Sequence, residues 1–179
     1  TDCVMLSAES ASGEYPVITA GTQAKIAKRM EEYIDFSKQA TDSFRAFMSN
    51  PNKTVNSAMA NTVMQTAVLT DTKLIVCFSS SPESAKLISK ARPNCPILFI
   101  TNNRAEAFAS CLSYGIYPVI LPRLPQFIEE MEVIALLQAR KLGFEPGNKI
   151  IITGGVPTGA SNTNFMKIIS VIKPRELEI

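Results

Sequence analysis

The sequence contains no histidine. That removes the commonest metal ligand and the base of a nucleophilic triad, so a zinc centre and a histidine-based triad are excluded. Cysteine is scarce as well. Cys3, Cys77, Cys95 and Cys111 show no paired spacing, and three of them sit in apolar surroundings; all four read as buried, reduced thiols of a cytosolic chain. No apolar run approaches the about 20 residues that cross a bilayer as a helix. Basic residues are scattered rather than clustered, and 18 Lys and Arg against 16 Asp and Glu leave a net charge of only +2, which offers no surface for a nucleic acid. The expectation is a cytoplasmic protein with neither nucleic acid nor membrane as a partner.

What is present is an ordinary globular composition: 179 residues, 46% hydrophobic and 19% charged. That suffices for one medium domain with an appendage. The chain opens at Thr1 without a basic and apolar leader, and the run Cys3 to Leu6 suits a short strand buried on both faces. The next strand-like segment begins only near Lys73. A strand so far from a mate is expected to have lost its neighbours, as in a piece excised from a longer chain.

Pro16, Ile18, Ile26, Met30 and Tyr33 mark a helix that runs to about Phe36. Residues 37–53 are polar and irregular, with the breaker cluster Ser49, Asn50, Pro51 and Asn52, and are assigned as a linker. From Thr54 helix and strand alternate: a helix through Met59, Val63 and Ala67, a strand Leu74 to Phe78, a helix Pro82 to Ala91, and a strand Ile97 to Ile100. A helix Arg104 to Tyr114, a strand Ile116 to Leu121 and an amphipathic helix through Phe127, Met131 and Ile134 follow, stopped by Gly143. Lys149 to Thr153 and Phe165 to Ile172 close the chain as strands with no helix between them, so they pair antiparallel. The expected fold is α/β, a mostly parallel five-stranded sheet with helices on both faces and one antiparallel edge strand. The boundaries are 1–36 for the appendage, 37–53 for the linker and 54–179 for the α/β domain.

Ligands of such sheets collect at the carboxyl ends of the strands, and two loops there carry the candidate residues. Ser79, Ser80, Ser81 and Ser84 surround a helix start whose free amides suit a phosphate. The same residues also fit plain capping, through a box between Ser80 and Glu83 or a Ser81 cap before Pro82. Glu83 opposes an anion, and Lys86 one turn on would have to offset it. The second loop, Gly154 to Asn164, has three glycines and the polar groups Thr158, Ser161, Asn162 and Thr163, and is longer than a turn requires. Glu31 with Glu32, and Glu129, Glu130 and Glu132, read as solvated helix faces. No nucleophile, base and oxyanion site come together.

Three separated segments resemble pyruvate kinase. MLSAESASGEYP, from Met5, is similar to the pattern MLSGETA, any residue, G, any residue, YP. ARPNCPILFITNN resembles YRPxxPIxAVTxN, and GGVPTGASNTNFMKI resembles GVPxGxxxTN(L/M)MKV. The resemblance implies a glycolytic phosphotransferase that moves phosphate from phosphoenolpyruvate to ADP with Mg²⁺ and K⁺, as a cytosolic homotetramer. It implies that 1–36 is the last strand and helix of the catalytic barrel, with Ser7 and Glu9 near the active-site mouth, and that 54–179 is the regulatory and subunit-contact domain.

The family's catalytic lysine and metal-binding carboxylates match nothing in this sequence, so the chain alone is expected to be inactive and to hold no cofactor. Its expected partners are the rest of the pyruvate kinase chain, further copies of itself and a phosphorylated effector. Carried over by position, the effector residues are Ser79, Ser80, Ser81 and Ser84 with Thr158, Gly159, Ala160 and Ser161. Ala8 and Ser10 are mild departures from the family pattern. Pro82 in place of Gly, Glu83 in place of Arg or Lys, and the acidic run Glu129 to Glu132 where some members have an Arg count against a fructose bisphosphate site. A free-standing metabolite-binding module and a purely structural contact module are the alternatives.

Overall fold

The computed structural model describes residues 1–157 and 162–173. Its elements are α1 (Ala8–Ala11), α2 (Pro16–Glu31), α3 (Phe36–Ser49), α4 (Val55–Leu69), β1 (Leu74–Phe78), α5 (Glu83–Lys90), β2 (Ile97–Thr101), α6 (Arg104–Ser110), β3 (Ile116–Ile120), α7 (Ile128–Lys141), β4 (Lys149–Gly154) and β5 (Phe165–Ser170). The strands form one sheet in the order β3-β2-β1-β4-β5. Every pairing is parallel except that of β4 with β5. This is the expected α/β architecture.

The reason lies in the strand sequences. β1 is LIVCF and β2 is ILFIT, buried at every position, as strands covered on both faces must be. Alternate side chains feed two cores. Leu74, Val76 and Phe78 with Ile150 and Ile152 meet Met131, Ala135 and Ala139 of α7 on one face. Ile75, Cys77, Phe99 and Ile151 meet Ala60, Val63 and Ala67 of α4 and Ala85 and Ile88 of α5 on the other. Small residues on α4 let that helix approach the sheet closely.

Helix ends follow local chemistry. Thr54 and Ser57 form a reciprocal capping box at the start of α4, and the Asn103 side chain takes up the Ala105 and Glu106 amides at the start of α6. α7 ends where expected: Gly143 has φ +84, its N–H reaches the Arg140 carbonyl and the Phe144 N–H that of Ala139, the 5→2 and 6→1 pair of a glycine-terminated helix. On the outer strand β3, Pro118 lies in register with Phe99. The Leu121 N–H donates to Thr101, so by alternation the position of Pro118 faces away from β2 and costs the ladder nothing.

Three expectations are corrected. The run Cys3 to Leu6 forms no strand: residues 1–7 are irregular, with Val4 and Met5 exposed, because an isolated extended segment has no ladder to satisfy its backbone. Residues 37–53 are not an irregular linker, since α3 occupies them through Ser49, and α2 stops at Glu31 instead of reaching Phe36. The Asp35 carboxylate accepts from the Lys38 N–H at 2.9 Å and opens α3. Ala40 packs on Met64 and Ala91, while Gln65 donates to the Ala40 carbonyl at 2.6 Å. The thiols, third, are not all buried: Cys77 is, Cys95 partly so, and Cys3 and Cys111 are exposed. Burial pushes the Cys77 and Cys95 thiols up to about 12, slightly offset at Cys95 by Lys73.

Candidate functional site

The sheet order places the chain reversal between β1 and β4. From β1 the chain winds outward through β2 to β3, then returns across to β4, and the crevice beyond the carboxyl ends of β1 and β4 is where such sheets receive ligands. The Ser79–Ser84 loop leaves β1 there, and the loop after Gly154 leaves β4 beside it, Phe78 and Gly154 being in register. A Cβ on Gly154 would stand 2.8 Å from the Phe78 carbonyl oxygen and 3.3 Å from the Phe165 ring. Glycine is therefore demanded here by strand packing, whatever the loop binds.

The first loop is held by its own hydroxyls. Ser79 Oγ accepts from the Ser81 N–H at 3.2 Å and Ser81 Oγ from the Glu83 N–H at 3.4 Å, while the Lys86 N–H donates to the Pro82 carbonyl at 2.8 Å. The expected box between Ser80 and Glu83 does not form: α5 has no side-chain cap bond at its N-cap, which is Pro82 rather than a serine, and Ser80 is exposed. Ser81 is the residue that partly supplies the capping, as the plainer reading of the loop has it. The helix-start amides of Ser81 and Glu83 are thus engaged, although weakly, by side chains that a ligand could displace.

Ser84 points elsewhere. Its hydroxyl lies 2.6 Å from that of Thr163, the return of the second loop. Thr163 is 5% exposed, and its N–H donates to Asn56 Oδ1 in the first turn of α4 at 2.8 Å. Asn164 braces the same loop, accepting from the Val156 N–H at 2.9 Å and donating to the Val156 carbonyl at 2.6 Å. Three elements distant in sequence meet at one buried threonine. Asn56 and Asn164 were not among the residues expected from the sequence: the long-range partner of Asn56 leaves no local periodicity or spacing by which to find it. Thr158, Gly159, Ala160 and Ser161 lie outside the described residues.

The acidic run is tied down. Glu130 accepts from the Gln126 N–H at 3.1 Å and lies 3.8 Å from Arg123, while Glu132 forms an ion pair with Lys167 of β5. Glu32, which caps the end of α2, likewise pairs with Arg29 of that helix. Among the described residues no three of the Asp, Glu and Cys side chains converge as metal ligands.

Ser7 and Glu9 belong to another part of the molecule. Glu9 Oε2 accepts from the Ser7 N–H at 3.0 Å, and its own amide and then that of Ser7 hold its carboxyl below the usual range. A Cβ on Gly13 would stand 2.3 Å from the Glu9 carbonyl oxygen, so the turn from α1 into α2 requires glycine. α1 packs on α2, and the two border a groove of about 640 Å³ that includes Leu6, Glu9, Tyr15 and Ile18. The structure does not bring Ser7 or Glu9 to the two loops.

Residues 57–169 match the family model for the pyruvate kinase alpha/beta domain. The chain is 35% identical over 176 residues to the pyruvate kinase of Lactococcus lactis and 33% identical over 172 residues to that of Geobacillus stearothermophilus, covering 96% and 94% of this chain but 33% and 28% of theirs. A crystal structure of a Cryptosporidium parvum pyruvate kinase superposes with a TM-score of 0.84 at 25% identity, over 96% of this chain and 33% of that one. The chain thus spans about a third of the length of these relatives. The strand order, the two loops at its reversal and the match across them agree: this chain belongs to the pyruvate kinase family, through that family's alpha/beta domain.

Proposed function

We propose that the chain is the carboxy-terminal regulatory and subunit-contact domain of a pyruvate kinase, the transferase that moves phosphate from phosphoenolpyruvate to ADP, preceded by the segment that in the whole enzyme completes its catalytic barrel as the last strand and helix. The observation that carries this reading is the family match over 57–169. The bare appendage supports it: α2 buries no residue and leaves Ile18, Ile26 and Met30 exposed, as is Tyr33 just beyond it, a surface suited to the rest of a barrel. On this reading the whole enzyme works in the cytoplasm as a homotetramer with Mg²⁺ and K⁺, held by residues outside this chain.

The 179-residue chain alone is inactive on this reading. The test is a direct assay for pyruvate from phosphoenolpyruvate and ADP: no turnover above a buffer blank is expected, and turnover would overturn the assignment.

Regulation is assigned to the two loops at the β1–β4 reversal, with Ser79, Ser80, Ser81 and Ser84 and, carried over from the family pattern, Thr158, Gly159, Ala160 and Ser161 as the residues for a phosphorylated effector. Support comes from the Ser84–Thr163 contact, which ties the loops into one unit. Glu83 in the first turn of α5 argues for a weak or absent anion site, and a contact module without ligand response ranks next. Calorimetry with glucose 6-phosphate and AMP separates the two: saturable heat that Ser81→Asp abolishes supports an effector site, while oligomerisation without heat supports the contact module.

A further inference from the structure

The irregular opening segment meets the α/β domain at a small polar cluster. α5 ends at Lys90, and Arg92 follows its C-cap with φ +57. Glycine is the residue usually found in this left-handed position after a helix, and an arginine there is strained. The side chain it places works through charge and ring contact, since its buried Nη1 has no aligned hydrogen-bond partner. Its guanidinium carbon lies 4.6 Å from the centre of the Tyr114 ring, and Nη1 stands 2.9 Å from Asp2 Oδ1. The same oxygen accepts from the Tyr114 N–H at 3.3 Å. Carboxylate, guanidinium and ring therefore close a triangle.

The two sides of that triangle differ in rigidity. Tyr114 is anchored by its carbonyl, which accepts from Ser89 Oγ of α5 at 2.6 Å, with Ser89 itself 1% exposed. The Arg92 side chain is 22% exposed and the Asp2 side chain 54%. A socket on the domain, braced by the Ser89–Tyr114 bond, thus receives one carboxylate from the irregular residues 1–7. Beside it a cleft of about 810 Å³ separates Lys28, Glu31 and Glu32 of the α2 end from Pro96, Tyr114 and Phe144 of the domain, so packing on that side does not fix the segment.

We propose that Arg92 is a positioning residue that latches the Thr1–Glu31 segment to the α/β domain by gripping Asp2 against Tyr114. Releasing the latch lets α1 and α2 change attitude while the sheet stays as it is. The strain at Arg92 follows from this role, since a glycine would end α5 more easily but could not reach Asp2.

The experiment uses the two exposed thiols, Cys3 beside Asp2 and Cys111 on the domain, as spin-label sites in the 179-residue chain. Cys77 and Cys95, with thiols pushed up to about 12, stay largely unlabelled near neutral pH. One narrow Cys3–Cys111 distance distribution is expected for the parent chain. Asp2→Ala and Arg92→Gly are each expected to widen it at least about two-fold, with the double variant no wider than either, as for groups acting as one unit. Thermal unfolding should be unchanged in Asp2→Ala and unchanged or raised in Arg92→Gly, where backbone strain is relieved; a merely structural Arg92 would lower it. Exchange of the Tyr114 amide should quicken in Asp2→Ala. A broad distribution in the parent chain, or an unaltered one in Asp2→Ala, overturns the proposal.

Discussion

α2 and α4 are helices of nearly equal length, 16 and 15 residues, with opposite fates. α4 buries Ala60, Val63, Met64 and Ala67 against the sheet and α3, whereas α2, with Val17, Ile18, Ile26 and Met30 along it, buries nothing. Sequence makes both helical; only packing makes one of them stable. An isolated helix of about 15 residues is marginal in water, and most helix stability in proteins comes from the face that is covered. The α/β domain therefore carries the stability of this chain, and the appendage follows it on a tether.

The comparison breaks most sharply in the core. Phe99→Ala, at a fully buried β2 position, is expected to cost roughly 3–5 kcal/mol in denaturant unfolding, while Ile26→Ala on α2 should stay within about 0.5 kcal/mol. Equal effects would mean that α2 is packed after all. Next comes Gly154→Ala, whose new methyl meets the Phe78 carbonyl; a loss of about 1–3 kcal/mol is expected from overpacking, read in the same titration. Thr163→Val removes the hydroxyl that meets Ser84 and should cost about 1 kcal/mol. Because it loosens the loops without emptying the core, hydrogen exchange should rise after β4 and at the start of α5 and stay unchanged in β1 and β2.

The smallest effect is electrostatic and belongs to the appendage. The Asp2 carboxyl is held below its ordinary range by the Tyr114 amide first and by Arg92 and the terminal ammonium after it, against a desolvation that raises it. Burial first, then the charges of Glu31 and Tyr117, push the neighbouring Tyr114 phenol up, with Arg92 opposing them. A depressed acid stabilises the folded contact above the unfolded pKa and loses it as pH falls through the folded one. Protection of the Tyr114 amide should accordingly be full near neutrality and decay below the usual carboxylate range, while β1 and β2 amides do not follow. A decay shared by the whole sheet would refute the assignment to Asp2.

All five strands and the antiparallel closing pair were legible because buried runs such as LIVCF and ILFIT admit few other readings. The segment 37–53 was not. Ser37, Thr41, Ser43 and Ser49 give α3 the look of a loop, yet Thr41 and Ser49 donate to the Ser37 and Arg45 carbonyls and so spend their hydroxyls on the helix they would otherwise disrupt. Phe36, Ala40 and Phe47 supply the inward face that Asp35 announces as a cap. At the candidate site the two loops were legible as strand ends, because glycine and serine cluster there. Their junction was not, since the bonds of Thr163 to Ser84 and Asn56 span 79 and 107 residues and no pattern within a window can encode them.

Pro118 has a consequence for assembly. The proline has no donor to offer on the solvent side of β3, so a strand arriving there would leave an acceptor unmet in the middle of its run. β5, at the opposite border, has non-proline residues throughout and is bordered only by β4 among the described residues. Extension of this sheet by an extended peptide is thereby disfavoured at the β3 margin and easier along β5.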